Sequence, residues 1–485
     1  VSVLRRWGPV TVALLLLVVV RLAYLVDPAG RDEAGYLVVA QGWHSGGTSL
    51  YGDHWVDRPP LLIWIVEAAG SVTGLRLVGL LASLVVVAGV AAAARLAAGR
   101  TAAVWAACTA ALLGTAHWFG MSRTNGELLA SAFVAAGLPL TLLALRSERA
   151  RTVAAWAAGA GALAAGAVLV KQTILDGLVF AVALVVVTAW QSPTLRRRCV
   201  TVLAAGSAGF LAALALALAL AAARGTSPGD LFDALVVFRF QAGEVIRESA
   251  TSATPERLGI LAAIWLVSGL GVVSVATLAR LRRDRNPVLV ATAAVLVVVT
   301  VEVVLGGSYW AHYLVQLVPA TSLAVGLLVV RLPRRPVVVV AAAVALATLA
   351  NTVFGLATRA EEEHRSFVVG TWLRDSATPG DSGVVAFGQP NVLERAGLAA
   401  PYPYLWSLIV RTRDPELREL TAVMEGPDRP TWVVDWSGPR PWGLDAAAFR
   451  AVLERDYRVV ATVCERRVWL ERSTTRTLES IPDCR

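Results

Sequence analysis

Long apolar runs dominate the chain up to about residue 356, broken by short polar stretches at fairly even intervals. A membrane-spanning helix needs about 20 mostly apolar residues. By that measure the pattern predicts about eleven spans, near 9–26, 74–94, 101–118, 125–145, 153–170, 174–190, 200–222, 257–279, 287–305, 311–330 and 336–356. The run Val10 to Val20 follows Arg5 and Arg6, as in a secretion signal. No small-residue cleavage site follows, and Arg21-Leu22-Ala23-Tyr24 continues the segment, so it reads as an uncleaved first span.

Two polar stretches are too long for plain turns. The first, 27–73, carries Arg31-Asp32-Glu33-Ala34-Gly35-Tyr36 and then Asp57-Arg58-Pro59-Pro60-Leu61-Leu62. Pro59-Pro60 can start a helix, and Leu61-Leu62-Ile63-Trp64-Ile65-Val66 is apolar but too short to span. One or two helices lying along the membrane surface are expected here, with Trp55 and Trp64 at headgroup depth. The second stretch, 223–256, sets Phe232, Phe238 and Phe240 among Arg239, Glu244 and Arg247. Both an amphipathic surface element and a mobile connector fit that pattern.

From about residue 357 the pattern changes. Glu361-Glu362-Glu363-His364-Arg365 opens a charged helix, and Gly383-Val384-Val385-Ala386-Phe387-Gly388 reads as a buried strand. Asp414 to Met424 predicts a helix, Thr431 to Asp435 a strand, and Leu444 to Glu454 a helix. Arg458 to Glu465 and Arg467 to Leu470 form a closing hairpin. This alternation predicts an α/β domain of roughly a hundred residues. It has no glycine-rich phosphate loop, so it is expected to cover the membrane domain or present an acceptor. The expected architecture is a polytopic α-helical membrane domain, 1–356, followed by a C-terminal extracytoplasmic α/β domain, 357–485.

Composition agrees: 56% of the 485 residues are apolar and 16% charged, with mean hydropathy +0.63, against about 25% charged in soluble proteins. The net charge of +9 is almost wholly arginine, because Lys171 is the single lysine. An arginine excess of this kind follows background usage, and no nucleic-acid partner is expected. Its distribution carries topology instead. Arg5 and Arg6 precede the first span, and basic residues follow every even-numbered one: Arg95 and Arg100, Arg146 to Arg151, Arg196 to Arg198, Arg280 to Arg285, and Arg331 to Arg335. The positive-inside rule then predicts a cytoplasmic N-terminus, and an integral, multi-pass protein of the plasma membrane is expected. Loops 27–73, 223–256 and 306–310, the Lys171 region and everything after 357 fall outside. Cys108, Cys199, Cys464 and Cys484 include no CxxC pair, which argues against a zinc site. Cys464 and Cys484 fit free thiols and an extracytoplasmic disulfide equally well.

Several polar residues fall on that outer side. Asp32 and Glu33 suit a general base, since partial dehydration tunes a carboxylate and a base must accept a hydroxyl proton. An interfacial anchor beside Arg31, or a helix cap, uses the same residues. Arg58 offers a planar fork of donors for phosphate oxygens, where an ordinary surface arginine would snorkel to lipid. Lys171 and Gln172 end the fifth span, where a phosphate or carboxylate partner would explain a lysine. Arg123, Asn125 and Glu127 start the fourth span, where Glu127 needs a pair or solvent and fits a functional role and a structural pair with an arginine equally well. Glu302, inside the ninth span, raises the same need. His312 and Tyr313, in Tyr309-Trp310-Ala311-His312-Tyr313, read as phosphate or sugar contacts or as an aromatic belt. No histidine pair has metal-ligand spacing, while Asp32, Glu33 or Asp57 could hold a divalent ion.

The strings RDEAGYL and DRPPLLIW in the first polar stretch, with VLVKQTILDG and HYLVQLVPATSLAVG further on, resemble polyprenyl-phosphate-sugar-dependent glycosyltransferases of the GT-C fold. The likeness covers 1–356 and is to the branch holding protein O-mannosyltransferases and lipid A aminoarabinose transferases. It implies an inverting hexosyl or pentosyl transfer from a polyprenyl-phosphate donor to a glycan, lipid or protein of the cell envelope. Asp32, with Glu33 beside it, would be the base. Arg58, Lys171, Arg123 and His312 would meet the donor phosphate, and Tyr36, Asp57, Glu127, Gln172 and Tyr313 the sugar or acceptor. Gly35 departs from the arginine often found three positions after the aspartate, and Arg58 from the lysine often found before Pro-Pro. A transporter or flippase of a lipid-linked glycan is the alternative, but it would want ionisable groups near mid-membrane. A non-catalytic envelope scaffold leaves the first-loop charges unexplained.

Overall fold

The computed structural model describes residues 2–44, 49–248, 253–359, 363–437 and 443–484. Glu361 and Glu362, expected at the head of the charged helix, lie outside the described residues, as do the side chains of Arg5, Arg6 and His44. The chain divides into two compact units. One holds 1–25, 76–219 and 251–357, and the other 26–75, 220–250 and 358–485.

In chain order the helices are α1 (Ser2–Ala23), α2 (Arg31–His44), α3 (Pro60–Ala69), α4 (Val72–Leu113), α5 (Gly126–Arg146), α6 (Ala150–Val170), α7 (Asp176–Gln191) and α8 (Arg196–Ala223). Then come α9 (Pro228–Phe232), α10 (Phe238–Glu248), α11 (Ala253–Val267), α12 (Leu270–Leu281), α13 (Pro287–Leu305), α14 (Leu317–Val329) and α15 (Arg334–Thr358). Among the described residues, seven helices are long and apolar enough to cross a membrane. Taken together, the α11–α12 pair is an eighth of that length and composition, bent by 64° at Gly269, whose φ of 80° takes the left-handed turn that glycine tolerates. The shorter apolar helices Gly8–Ala23 and α7, and the second limb of α4 beyond the break at Gly99, account for the remaining predicted spans.

Two local rules hold the first unit together. Helix starts are capped where the sequence supplies a polar side chain: Asn125 accepts from the Leu128 N–H at 2.9 Å, and Asn286 caps α13 behind Pro287. Hydroxyls inside apolar helices bond back to a carbonyl four residues earlier, as Thr188 does to Leu184 at 2.7 Å. Small residues then let backbones meet. A side chain at Gly89 would collide with the Ala135 carbonyl on α5, and one at Gly161 with the Gly206 carbonyl on α8.

The second unit gathers the first polar stretch, the second one and the C-terminal region. Its C-terminal part adds α16 (His364–Ser376), α17 (Pro390–Ala396), α18 (Ser407–Arg413), α19 (Arg418–Glu425) and α20 (Ala447–Asp456). The strands β1 (Gly383–Ala386), β2 (Trp432–Asp435), β3 (Tyr457–Val463) and β4 (Arg466–Glu471) form one sheet in the order β1-β2-β4-β3. Strands β1 and β2 run parallel, as the β-α-β alternation requires, and the other two pairs are antiparallel. The expected closing hairpin is β3–β4. A disulfide joins Cys464 at its turn to Cys484.

One open reading narrows and two expectations change. Residues 223–256 are helical over most of their length: a Ser227–Asp230 capping box starts α9, a π turn follows, and α10 runs to Glu248. The helix expected over Asp414–Met424 starts only at Arg418, and Asp414 stands outside it, accepting from the Tyr402 hydroxyl at 2.9 Å and from the Leu420 N–H at 3.1 Å. It thereby heads α19 instead of continuing α18. Trp55 is buried in the protein against Phe238, with ring centroids 4.6 Å apart, and is not presented to lipid headgroups.

Candidate active site

Asp32 sits in the first turn of α2, where a carboxylate favours the positive end of the helix dipole. Its Oδ1 accepts a hydrogen bond from the indole N–H of Trp406 at 3.0 Å. That indole lies on the helix where Gly35 has no side chain: a Cβ there would fall 2.2 Å from the ring. Tyr36 flanks the same indole, with ring centroids 5.5 Å apart. Gly35 is therefore a seat for Trp406. Glu33 points the other way. It is buried, and its Oε2 accepts the Gly30 N–H at 3.0 Å, which ties down the start of α2. Asn391 on α17 donates to the Ala29 carbonyl at 3.3 Å and supports the same turn.

Arg58 precedes the paired prolines that launch α3. Its Nε donates to the Tyr36 hydroxyl at 3.1 Å, and its Nη1 meets the Asp57 carboxylate at 2.5 Å. The other oxygen of Asp57 takes Arg239 of α10 at 3.1 Å, so one carboxylate holds two guanidinium groups. Arg413 pairs with Asp233 and lies over Trp55 and Phe238, 4.9 and 5.5 Å from their ring centroids. The second unit thus carries a chain of contacts running Asp32, Trp406, Tyr36, Arg58, Asp57, Arg239.

The first unit contains the other predicted residues. Glu127 follows the Asn125 cap of α5, and its Oε1 binds the Lys171 ammonium at 2.5 Å. Lys171 ends α6, and its Nζ stands 4.4 Å from the ring centroid of Tyr313. His312 Nε2 lies 3.7 Å from the same Glu127 oxygen. Lys171, for which a phosphate or a carboxylate partner is expected, meets a carboxylate of the protein, and Glu127, for which a structural pair is expected to be an arginine, meets this lysine. Arg123 lies in the turn before Asn125, where its carbonyl accepts from Arg21 at 3.2 Å. Gln172 follows Lys171 in the turn before α7, and Glu302 is half-buried on α13.

Among the described residues, no three His, Cys, Asp or Glu side chains gather as a metal ion would need. Asp32, Glu33 and Asp57 are directed to an indole, a backbone N–H and two arginines respectively. Trp406, Arg239, Arg413 and Asp233 carried no signal of their own in the sequence. Trp406 lies 374 positions from Asp32. The one local hint is the density of aromatics and prolines in Pro401-Tyr402-Pro403-Tyr404-Leu405-Trp406.

No protein-family model matches the chain, and no curated protein matches it by sequence. Solved structures do match its fold. ArnT from Cupriavidus metallidurans bound to undecaprenyl phosphate superposes with a TM-score of 0.70 over 96% of this chain and 98% of that one, at 16% identity. The Archaeoglobus fulgidus oligosaccharyltransferase in its apo form matches with a TM-score of 0.57 over 89% of this chain and 69% of that one, at 13% identity. The chain therefore has the GT-C fold, the fold its sequence motifs resemble, and it is an integral membrane protein with a C-terminal α/β region.

Proposed function

We propose that the chain is a membrane glycosyltransferase that moves a sugar from a polyprenyl-phosphate donor to a hydroxyl of a cell-envelope acceptor. The observation that carries this reading is the fold shared over nearly the whole length with a protein captured with undecaprenyl phosphate. Asp32 is the general base. Its carboxylate takes the acceptor's hydroxyl proton as that oxygen attacks the anomeric carbon from the face opposite the phosphate. The bond from that carbon to the phosphate oxygen breaks, its electron pair leaves with the polyprenyl phosphate, and the configuration inverts. Glu33, spent on the Gly30 N–H, holds the helix start.

Arg58 is the first choice for the phosphate, with Arg239 beside it. Asp57 holds both guanidinium groups ready, so their reorganisation cost is low as the second negative charge builds on the departing phosphate. Tyr36 and Asp57 border the place where the sugar would lie. In the first unit, Lys171 already has the Glu127 carboxylate, so we assign that pair to stability before chemistry. The Cys464–Cys484 disulfide supports an extracytoplasmic C-terminal region, since such bonds persist in oxidising compartments.

Asp32→Asn keeps the shape and still accepts from an N–H, but it cannot take a proton. In vesicles holding the purified protein and a radiolabelled polyprenyl-phosphate sugar, this variant should lose transfer by a factor on the order of 10²–10⁴. Undiminished transfer would remove Asp32 as the base. Movement of the intact donor across the bilayer without sugar transfer would favour the flippase instead.

A further inference from the structure

Trp406 belongs to no part of the reaction as described so far, yet its placement is closely determined. The segment before it runs beside the first polar stretch. Trp55 N–H donates to the Pro403 carbonyl at 3.0 Å, Trp55 and Tyr404 form a parallel β-bridge, and His54 Nε2 meets the Ala400 carbonyl at 3.1 Å. Beyond it, the Trp406 carbonyl accepts the Val410 N–H at 3.0 Å and starts α18. Gly388, at φ 80°, allows this corner, since a Cβ there would lie 2.9 Å from the Ser407 nitrogen. The backbone is thus fixed on both sides of the tryptophan. The indole fills the space over Gly35 and gives its one N–H to Asp32.

A carboxylate that must collect a proton at a defined point needs a fixed rotamer, and a carboxylate in the first turn of a helix has several to choose from. The indole N–H restricts the choice: one oxygen is bound, and the other is directed by the plane of the group. The indole also packs against Tyr36, whose hydroxyl accepts from Arg58. One rigid ring therefore sets the base relative to the arginine proposed for the phosphate. We infer that Trp406 is the positioning residue for Asp32, so that the C-terminal region completes the catalytic constellation. This rests on the glycosyltransferase reading above.

Trp406→Phe keeps an aromatic side chain, smaller than the indole, and removes the N–H. Its kcat should fall about tenfold, with KM for donor and acceptor within about twofold of the parent, because the lost contact orients the base without holding substrate. Gly35→Ala, which pushes the indole off its seat, should lower kcat similarly. Adding it to Trp406→Phe should cost little more. Tryptophan-labelled protein supplies a readout that needs no activity: the Trp406 indole N–H resonance, identified by its loss in Trp406→Phe, should move in Asp32→Asn. A Trp406→Phe kcat within twofold of the parent, in a protein where Asp32→Asn abolishes transfer, would overturn the positioning role and leave the reading intact. Transfer that survives Asp32→Asn would sink the reading instead. An indole resonance indifferent to Asp32→Asn would show that the two groups are not paired, whatever the chemistry.

Discussion

Glu127 and Lys171 show how charges are accommodated beside apolar helices. Each is almost fully buried, and each is the other's partner. Removing one half takes from the other its 2.5 Å partner, a loss that typically costs about 3–5 kcal/mol in a buried pair, whereas replacing both by apolar groups is often neutral. Glu127→Gln or Lys171→Met should thus lower the thermal midpoint in detergent, and Glu127→Leu/Lys171→Met should recover most of the loss. Full recovery without function would separate stability from chemistry at this pair. Arg58 gives a different expectation: Arg58→Ala should raise KM for the donor tenfold or more, on the order of the 1.5–3 kcal/mol of a charge-assisted contact, and Arg58→Lys should restore part of it. At this scale the sequence shows the residue types but not their partners. Asp57 and Arg58 are neighbours and read together, whereas Arg239 and Trp406 reach the same cluster from segments whose local pattern says only "amphipathic helix" or "aromatic loop".

Among elements, the membrane helices were the most legible, because an apolar run of span length has few alternative fates. The strands β1 and β2 and the closing hairpin were legible for a similar reason, a short buried run bounded by turn residues. The late start of α19 was not, since it depends on Asp414 binding the Tyr402 hydroxyl twelve residues back, which a helical period does not record. The seven-residue helices α17 and α18 are too short to show a period. Packing between helices was legible only as an abundance of small residues. Gly161 shows what that abundance does: a Cβ there would stand 1.9 Å from the Gly206 carbonyl. Gly161→Leu should force α6 from α8 and cost at least the 1–3 kcal/mol typical of overpacking. Parallel thermal scans of Gly161→Ala and Gly161→Leu, with the larger side chain giving the larger loss, would check it.

For the molecule as a whole, the end of the chain is fastened to the α/β region at several points. Arg476 binds Asp381 through two nitrogens, Trp372 donates to the Glu479 carbonyl at 3.1 Å, and the disulfide holds Cys484. Burial pushes the Asp381 carboxyl up, but the Arg476 guanidinium, the Thr378 N–H and the Trp432 indole N–H outweigh it and hold the group at about 2. A depressed carboxylate contributes stability that is complete above its unfolded value, near 3.9, and is lost as pH falls through about 2. The contribution is on the order of 2 kcal/mol. Hydrogen-exchange protection in the tail, taken relative to the intrinsic rate at each pH, should therefore be flat above about pH 4 and fall below it, and Asp381→Asn should abolish the step. Reduction should add to tail exchange at every pH.

The single lysine has one more consequence. In most proteins an amine-directed acylating reagent marks a dozen surface sites and reports little. Here the only side-chain amine is Lys171, held by Glu127 and covered by the Tyr313 ring. Acylation at that position becomes a clock for one event, the parting of an ion pair at the end of α6, and its rate measures how often that corner of the molecule opens.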